Sequence, residues 1–135
     1  MVGVKLNPLR TIPHPKGDIF HAVKLSSKDF DKFGEAYFSS INYKEIKGWK
    51  KHREMVLNFV VPVGEVQFVV FDGDHFFTAT LSKKNYQRLT IAPNLWVAFK
   101  GLCEGNNLVL NIASIEHNPD EAINIDIQDI RYDWK

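Results

Sequence analysis

Disulfide cross-links are excluded at the outset, because the 135-residue chain holds a single cysteine, Cys103. A secreted scaffold stapled by disulfides is therefore ruled out, and a reducing compartment is the simple expectation. An excess of one charge is missing as well. Seventeen Lys and Arg stand against 16 Asp and Glu, a formal net charge of +1. No overall field draws the chain to nucleic acid or to an anionic membrane, so any basic site has to be local. No apolar run approaches the roughly 20 residues that span a bilayer, and the opening residues through Asp18 carry no apolar stretch of the secretory kind. The expectation is a cytoplasmic protein with neither nucleic acid nor membrane among its partners.

What is present favours β-structure. Hydrophobic residues make up 44% and aromatics 13%, with ten Phe, four Tyr and three Trp, enough for one packed core in one domain over residues 1–135. Residues 1–17 are punctuated by Pro8, Pro13, Pro15 and Gly17, which predicts an extended lead-in. Ser27 can cap a short helix with Phe30 and Phe33 on its buried side and Gly34 at its end. Beyond it, apolar alternation predicts strand after strand, with turns at Pro62-Val63-Gly64, Asp72-Gly73-Asp74, Pro93-Asn94 and Gly105-Asn106-Asn107. About nine short strands, roughly 8–12 residues apart, read as a sandwich or barrel. A closed barrel of this size can enclose one small ligand.

The densest polar cluster is Tyr43 to Glu54. Strict alternation sets Ile46, Gly48, Lys50 and His52 on one face of a strand and Lys47, Trp49, Lys51 and Arg53 on the other. Either face carries cations, so an anionic ligand fits whichever one turns inward; a solvated rim is the other reading of the same charges. A desolvated lysine or a histidine in such a place can serve as a base. Trp49 and Trp96 can stack on a nucleobase or sugar face, or fill the core. Cys103 has no cationic or His neighbour in sequence and reads as a structural thiol.

Several segments, in order, resemble the nucleotide-sugar cupins, which include the dTDP-4-dehydrorhamnose 3,5-epimerases and the dTDP-sugar 3,4-ketoisomerases. Lys47-Gly48-Trp49-Lys50-Lys51-His52 is similar to their R-G-L-H or R-G-x-H-x-H motif, and Lys16-Gly17-Asp18-Ile19-Phe20 to an early R-G-x-F segment. Leu81 to Pro93 resembles their L-S-x-x-N-x-x-x-L-x-I-P-P run, and Asn118 to Glu121 with Ile130 to Trp134 resembles their closing segments. The resemblance implies a double-stranded β-helix, the cupin or jelly-roll barrel, with one short helix. It also implies a nucleotide-sugar ligand and a homodimer whose N-terminal strands join the partner's sheet.

Transferred position by position, the resemblance gives Lys16 and Lys47 the place of diphosphate-binding arginines; lysine keeps the charge and loses the bidentate fork. Ser39 falls where the second strand carries a serine. The epimerase base histidine falls on Lys50, and the proton-donating tyrosine near Asn111. His52 coincides with the second histidine of the ketoisomerase pair, and one of Asp126, Asp129 and Asp133 is a candidate to orient it. Many cupins hold a metal through paired histidines, a glutamate and a later histidine. Here no His stands two positions before His52, and Trp96-Val97 supply no later ligand, so neither metal nor cofactor is expected. The functional expectation is an epimerase or ketoisomerase of a 4-keto-6-deoxyhexose nucleotide in surface-polysaccharide synthesis, with His52 and Lys50 as catalytic residues. The alternative is a non-catalytic cupin that binds a nucleotide sugar or another small anion.

Overall fold

A computed structural model describes residues 1–135. Twelve strands follow one another: β1 (Val4–Pro8), β2 (Thr11–Ile12), β3 (Ile19–Phe20), β4 (Glu35–Ser40), β5 (Ile46–His52), β6 (Leu57–Val63), β7 (Glu65–Phe71), β8 (Phe76–Ser82), β9 (Gln87–Ile91), β10 (Trp96–Gly101), β11 (Leu108–Ala113) and β12 (Ala122–Asn124). They form two five-stranded sheets, ordered β1-β9-β6-β11-β4 and β12-β5-β10-β7-β8, with β2 and β3 as a separate hairpin. All the strand pairings are antiparallel. This is the all-β cupin architecture expected above, and no helix in it is long and apolar enough to cross a membrane.

The core follows from alternation. Leu57, Phe59 and Val61 of β6 with Leu89 and Ile91 of β9 meet Val66, Phe68 and Val70 of β7 and Leu81 of β8. Phe59 stacks on Phe68 with ring centroids 5.0 Å apart, within the range of favourable aromatic pairs. Packing is therefore solid where β6 and β9 face β7 and β8. Where β4 and β11 face β5 and β10 the interior stays open.

A second apolar cluster lies on the outer side of the β5 sheet. Trp49, Val69 and Ala98 are covered there by Ile125, Ile127, Ile130, Tyr132 and Trp134 of the C-terminal tail. The Trp49 indole N–H donates to the Ile127 carbonyl at 3.0 Å.

The short helix does not form. Ser27 bonds backwards, its Oγ accepting from the Lys24 N–H at 2.8 Å, so it is not available to cap a forward turn. Asp29 has a φ of 61°, and Phe33 is 64% exposed. The segment is two successive turns, and the only helical pieces are 3-10 turns at Pro119–Glu121 and Ile127–Asp129. The N-terminal lead-in is more structured than its prolines suggest. Val4–Pro8 pairs with β9 of the same chain, Val4 opposite Ile91 and Pro8 opposite Gln87; as a sheet edge, this strand tolerates a proline at its end.

Candidate active site

The open end of the barrel is a cavity of about 420 Å³. One wall is β5, contributing Lys47, Gly48, Lys50 and His52; the facing wall is β4 and β11, contributing Tyr37, Ser39, Val109 and Asn111. Leu57, Phe59, Val97 and Phe99 make an apolar floor, and Asn124 and Ile125 follow from the β12 edge. A half-apolar cavity with a few convergent polar groups is the form ligand sites take.

A bulge decides what β5 presents. Val97 to Phe99 on β10 spans two steps, while their partners Lys50 to Lys47 span three. The extra residue breaks the two-residue period, so Lys47 joins Lys50 and His52 on the cavity face. Gly48 makes this possible. Its φ is +148°, and a Cβ there would lie 2.4 Å from the Ala98 Cβ. The strict alternation expected from the sequence is thus corrected: both lysines turn to the cavity, and Trp49 turns away from it.

His52 is held from behind. Its Nδ1 pairs with Glu121 Oε1, and the two side chains are only 10% and 4% exposed. The other carboxylate oxygen accepts the backbone N–H groups of Glu54 and Met55 at 3.1 and 3.2 Å. Glu121 reaches this place because the Pro119–Glu121 turn, capped by the Asn118 side chain, delivers the chain into β12. Ala122 then pairs with His52, and the Arg53 N–H donates to the Glu121 carbonyl at 2.7 Å. Burial alone pushes the Glu121 carboxyl up, but the His52 contact and the two backbone N–H groups outweigh it, and the group lies below the ordinary glutamate value. An ionised Glu121 fixes the His52 proton on Nδ1. The unpartnered Nε2 is then the basic nitrogen, and it is not sealed from the cavity.

Around this pair the polar groups are ordered. Lys47 Nζ donates to Ser39 Oγ at 3.2 Å and to the Ser40 carbonyl at 2.6 Å. Lys50 lines the cavity and is exposed. Across the cavity, Asn111 Nδ2 donates to the Tyr37 phenol oxygen at 2.9 Å, and Asn111 Oδ1 accepts the Asn58 N–H at 3.1 Å. No three His, Cys, Asp or Glu side chains converge anywhere in the chain.

Of the residues expected from the sequence, His52, Lys50, Lys47, Ser39 and Asn111 come together in the cavity. Trp49 and Trp96 do not: Trp49 is 1% exposed in the outer cluster, and Trp96 lies under the Lys51 ammonium, 4.7 Å from its ring centroid. Lys16 is exposed on the β2–β3 loop and lines no part of the cavity. The carboxylate behind His52 is Glu121, and none of Asp126, Asp129 and Asp133 takes that place. Tyr37, Asn124 and Glu121 are the polar residues absent from the sequence expectation. Tyr37 is detectable from register, since it pairs with Asn111. Glu121 sits 69 residues from His52, with only its similarity to a closing family segment as a signal.

Residues 2–130 match the family described as FdtA: WxcM-like, C-terminal. The chain belongs to this family. Among solved structures it is similar to a dTDP sugar isomerase from Desulfovibrio desulfuricans G20, with 34% identity, 98% of this chain and 91% of that one covered, and a TM-score of 0.93. It is similar in fold to the 3,4-ketoisomerase QdtA from Thermoanaerobacterium thermosaccharolyticum in complex with TDP, at 18% identity, coverage of 91% and 88%, and a TM-score of 0.80. A dTDP-4-dehydrorhamnose 3,5-epimerase from Sulfolobus tokodaii shares the fold at 17% identity, coverage of 98% and 82%, and a TM-score of 0.83. No curated protein sequence matches the chain. The family assignment agrees with the nucleotide-sugar cupin resemblance read from the motifs.

Proposed function

We propose that this protein is a dTDP-sugar isomerase that moves the carbonyl of a 4-keto-6-deoxyhexose from C4 to C3, in surface-polysaccharide synthesis. The observation that carries the reading is the His52–Glu121 pair, which presents Nε2 to a cavity also holding two lysines. Nε2 removes the C3 proton, whose C–H electrons form the C3=C4 bond while O4 gains negative charge. The Lys50 ammonium stabilises that charge. A proton passes from O3 to O4, the C3 carbonyl forms, and the imidazolium returns its proton to C4. The 4-keto group itself acidifies C3, so the step requires no cofactor. Lys47, fixed by Ser39 and Ser40, holds the diphosphate.

One base on one wall suits a proton returned to the same face of the sugar. Epimerisation is the second reading, favoured by the Tyr37 phenol on the facing wall, where it can donate a proton from the opposite side. The chain acts as a single domain, in the cytoplasm, as a homodimer.

Incubation with dTDP-4-keto-6-deoxyglucose, followed by carbon NMR, tests the reading. A carbonyl resonance moving from C4 to C3 supports it. Binding of the nucleotide sugar without any conversion would leave a binding module in its place.

A further inference from the structure

We propose that the outer face of the β1-β9-β6-β11-β4 sheet carries a second site, a pocket for a phosphate-class oxyanion built on Arg88. Arg88 and Thr90 alternate with the core residues Leu89 and Ile91 on β9, so they point away from the barrel interior. The 21–28 segment crosses over them and leaves a cavity of about 250 Å³. This is too small for a nucleotide sugar and sufficient for a phosphate or a small phosphate ester.

The buried guanidinium is the anomaly that points to a ligand. Arg88 is 2% exposed, yet no carboxylate lies within 4.0 Å of it. Its Nε donates to Asn58 Oδ1 at 3.2 Å, and one terminal nitrogen, Nη2, donates to the Lys28 carbonyl. The other, Nη1, has no protein partner and is not sealed off. A buried charge is ordinarily paired.

Around the same cavity stand Arg10, Lys24, Lys28 and His21, with no acidic side chain in its lining. The nearby Asp29 carboxylate is engaged by Asn7 Nδ2 at 2.9 Å. Burial pushes the Arg88 guanidinium down, and the pull of Asp29 in the other direction does not restore it. A planar guanidinium with an unpartnered terminal nitrogen, in a cavity whose lining includes Arg10, Lys24 and Lys28, matches the acceptor oxygens of a phosphoryl group. Occupancy would tie the 21–28 segment to the sheet.

Phosphorus NMR titration and thermal unfolding against inorganic phosphate, with sodium chloride at equal ionic strength, test the site. Phosphate can also enter the barrel, so Lys47→Ala/Lys50→Ala isolates the outer pocket. Arg88→Met is the direct variant; Arg10→Ala/Lys24→Ala, which removes two exposed side chains, serves if Arg88→Met does not fold. We expect phosphate to raise the melting temperature with its concentration beyond the chloride control. Affinity falls at least tenfold in Arg10→Ala/Lys24→Ala and stays within twofold in Lys47→Ala/Lys50→Ala. Comparing phosphate with glycerol 3-phosphate then tells a free ion from an ester. Protection no greater than chloride overturns the proposal, and so does affinity that follows Lys47 and Lys50 and ignores Arg10 and Lys24.

Discussion

Replacing Glu121 with glutamine removes one charge and almost no volume, which makes it a sharp probe of how His52 is held. The carboxylate makes three contacts, to His52 Nδ1 and to the N–H groups of Glu54 and Met55. A glutamine carbonyl can keep the two backbone groups, but its NH₂ then faces Nδ1. The imidazole must give up its Nδ1 proton and carry it on Nε2, where the cavity needs a lone pair. Hydrogen bonds to charged groups contribute about 1.5–3 kcal/mol, and breaking a buried pair costs about 3–5. With part of the network retained, Glu121→Gln should cost about 2–4 kcal/mol by urea denaturation near neutral pH. Turnover should fall about 10²–10⁴-fold, the size of a general-base contribution.

The pH dependence has a definite sign. The Glu121 carboxyl is depressed in the folded state, so its stabilisation is complete above the unfolded glutamate value, about pH 4.3, and is lost as pH drops through the lower folded value. The stability gap between wild type and Glu121→Gln should therefore close in acid. A variant within ~0.5 kcal/mol of wild type at neutral pH, with turnover intact, would refute the reasoning.

Further outcomes follow from the bulge and its two faces. Gly48→Ala places a Cβ against Ala98 at a backbone angle that L side chains rarely adopt, and should cost at least ~2 kcal/mol in denaturant unfolding. Lys47→Ala should weaken dTDP binding about tenfold by calorimetry, the loss of one charge-assisted hydrogen bond. Trp49→Phe should lose the bond to the Ile127 carbonyl, about 1 kcal/mol of stability, while dTDP affinity stays unchanged because the indole faces away from the cavity.

The strand pattern was legible because most of it obeys a period of two: Val66, Phe68 and Val70 turn inward as their spacing requires. Where the chain departs from the period, sequence reading fails for identifiable reasons. The extra residue at Gly48-Trp49 shifts the phase of β5, so alternation separates Lys47 from Lys50 although both line the cavity. Ser27, Phe30 and Phe33 imitate a capped amphipathic helix, but Ser27 bonds to Lys24 and Asp29 takes a left-handed conformation. The prolines of the first 15 residues hide β1, whose pairing with β9 is long-range. His52 stood out by its motif. Glu121, which sets its tautomer, is brought to it only by the β12–β5 pairing, a contact no local pattern encodes.

In the proposed reaction His52 Nε2 takes the proton from the carbon beside the keto group. Incubating wild type and His52→Ala with dTDP-4-keto-6-deoxyglucose in deuterated water, and following the carbonyl position and the hydrogen at C4 and C5 by NMR, tests it directly. Wild type should relocate the carbonyl to C3 and carry solvent deuterium at C4 with none at C5, and the variant should do neither. Carbonyl relocation that survives loss of His52, or deuterium entering C5, would contradict it.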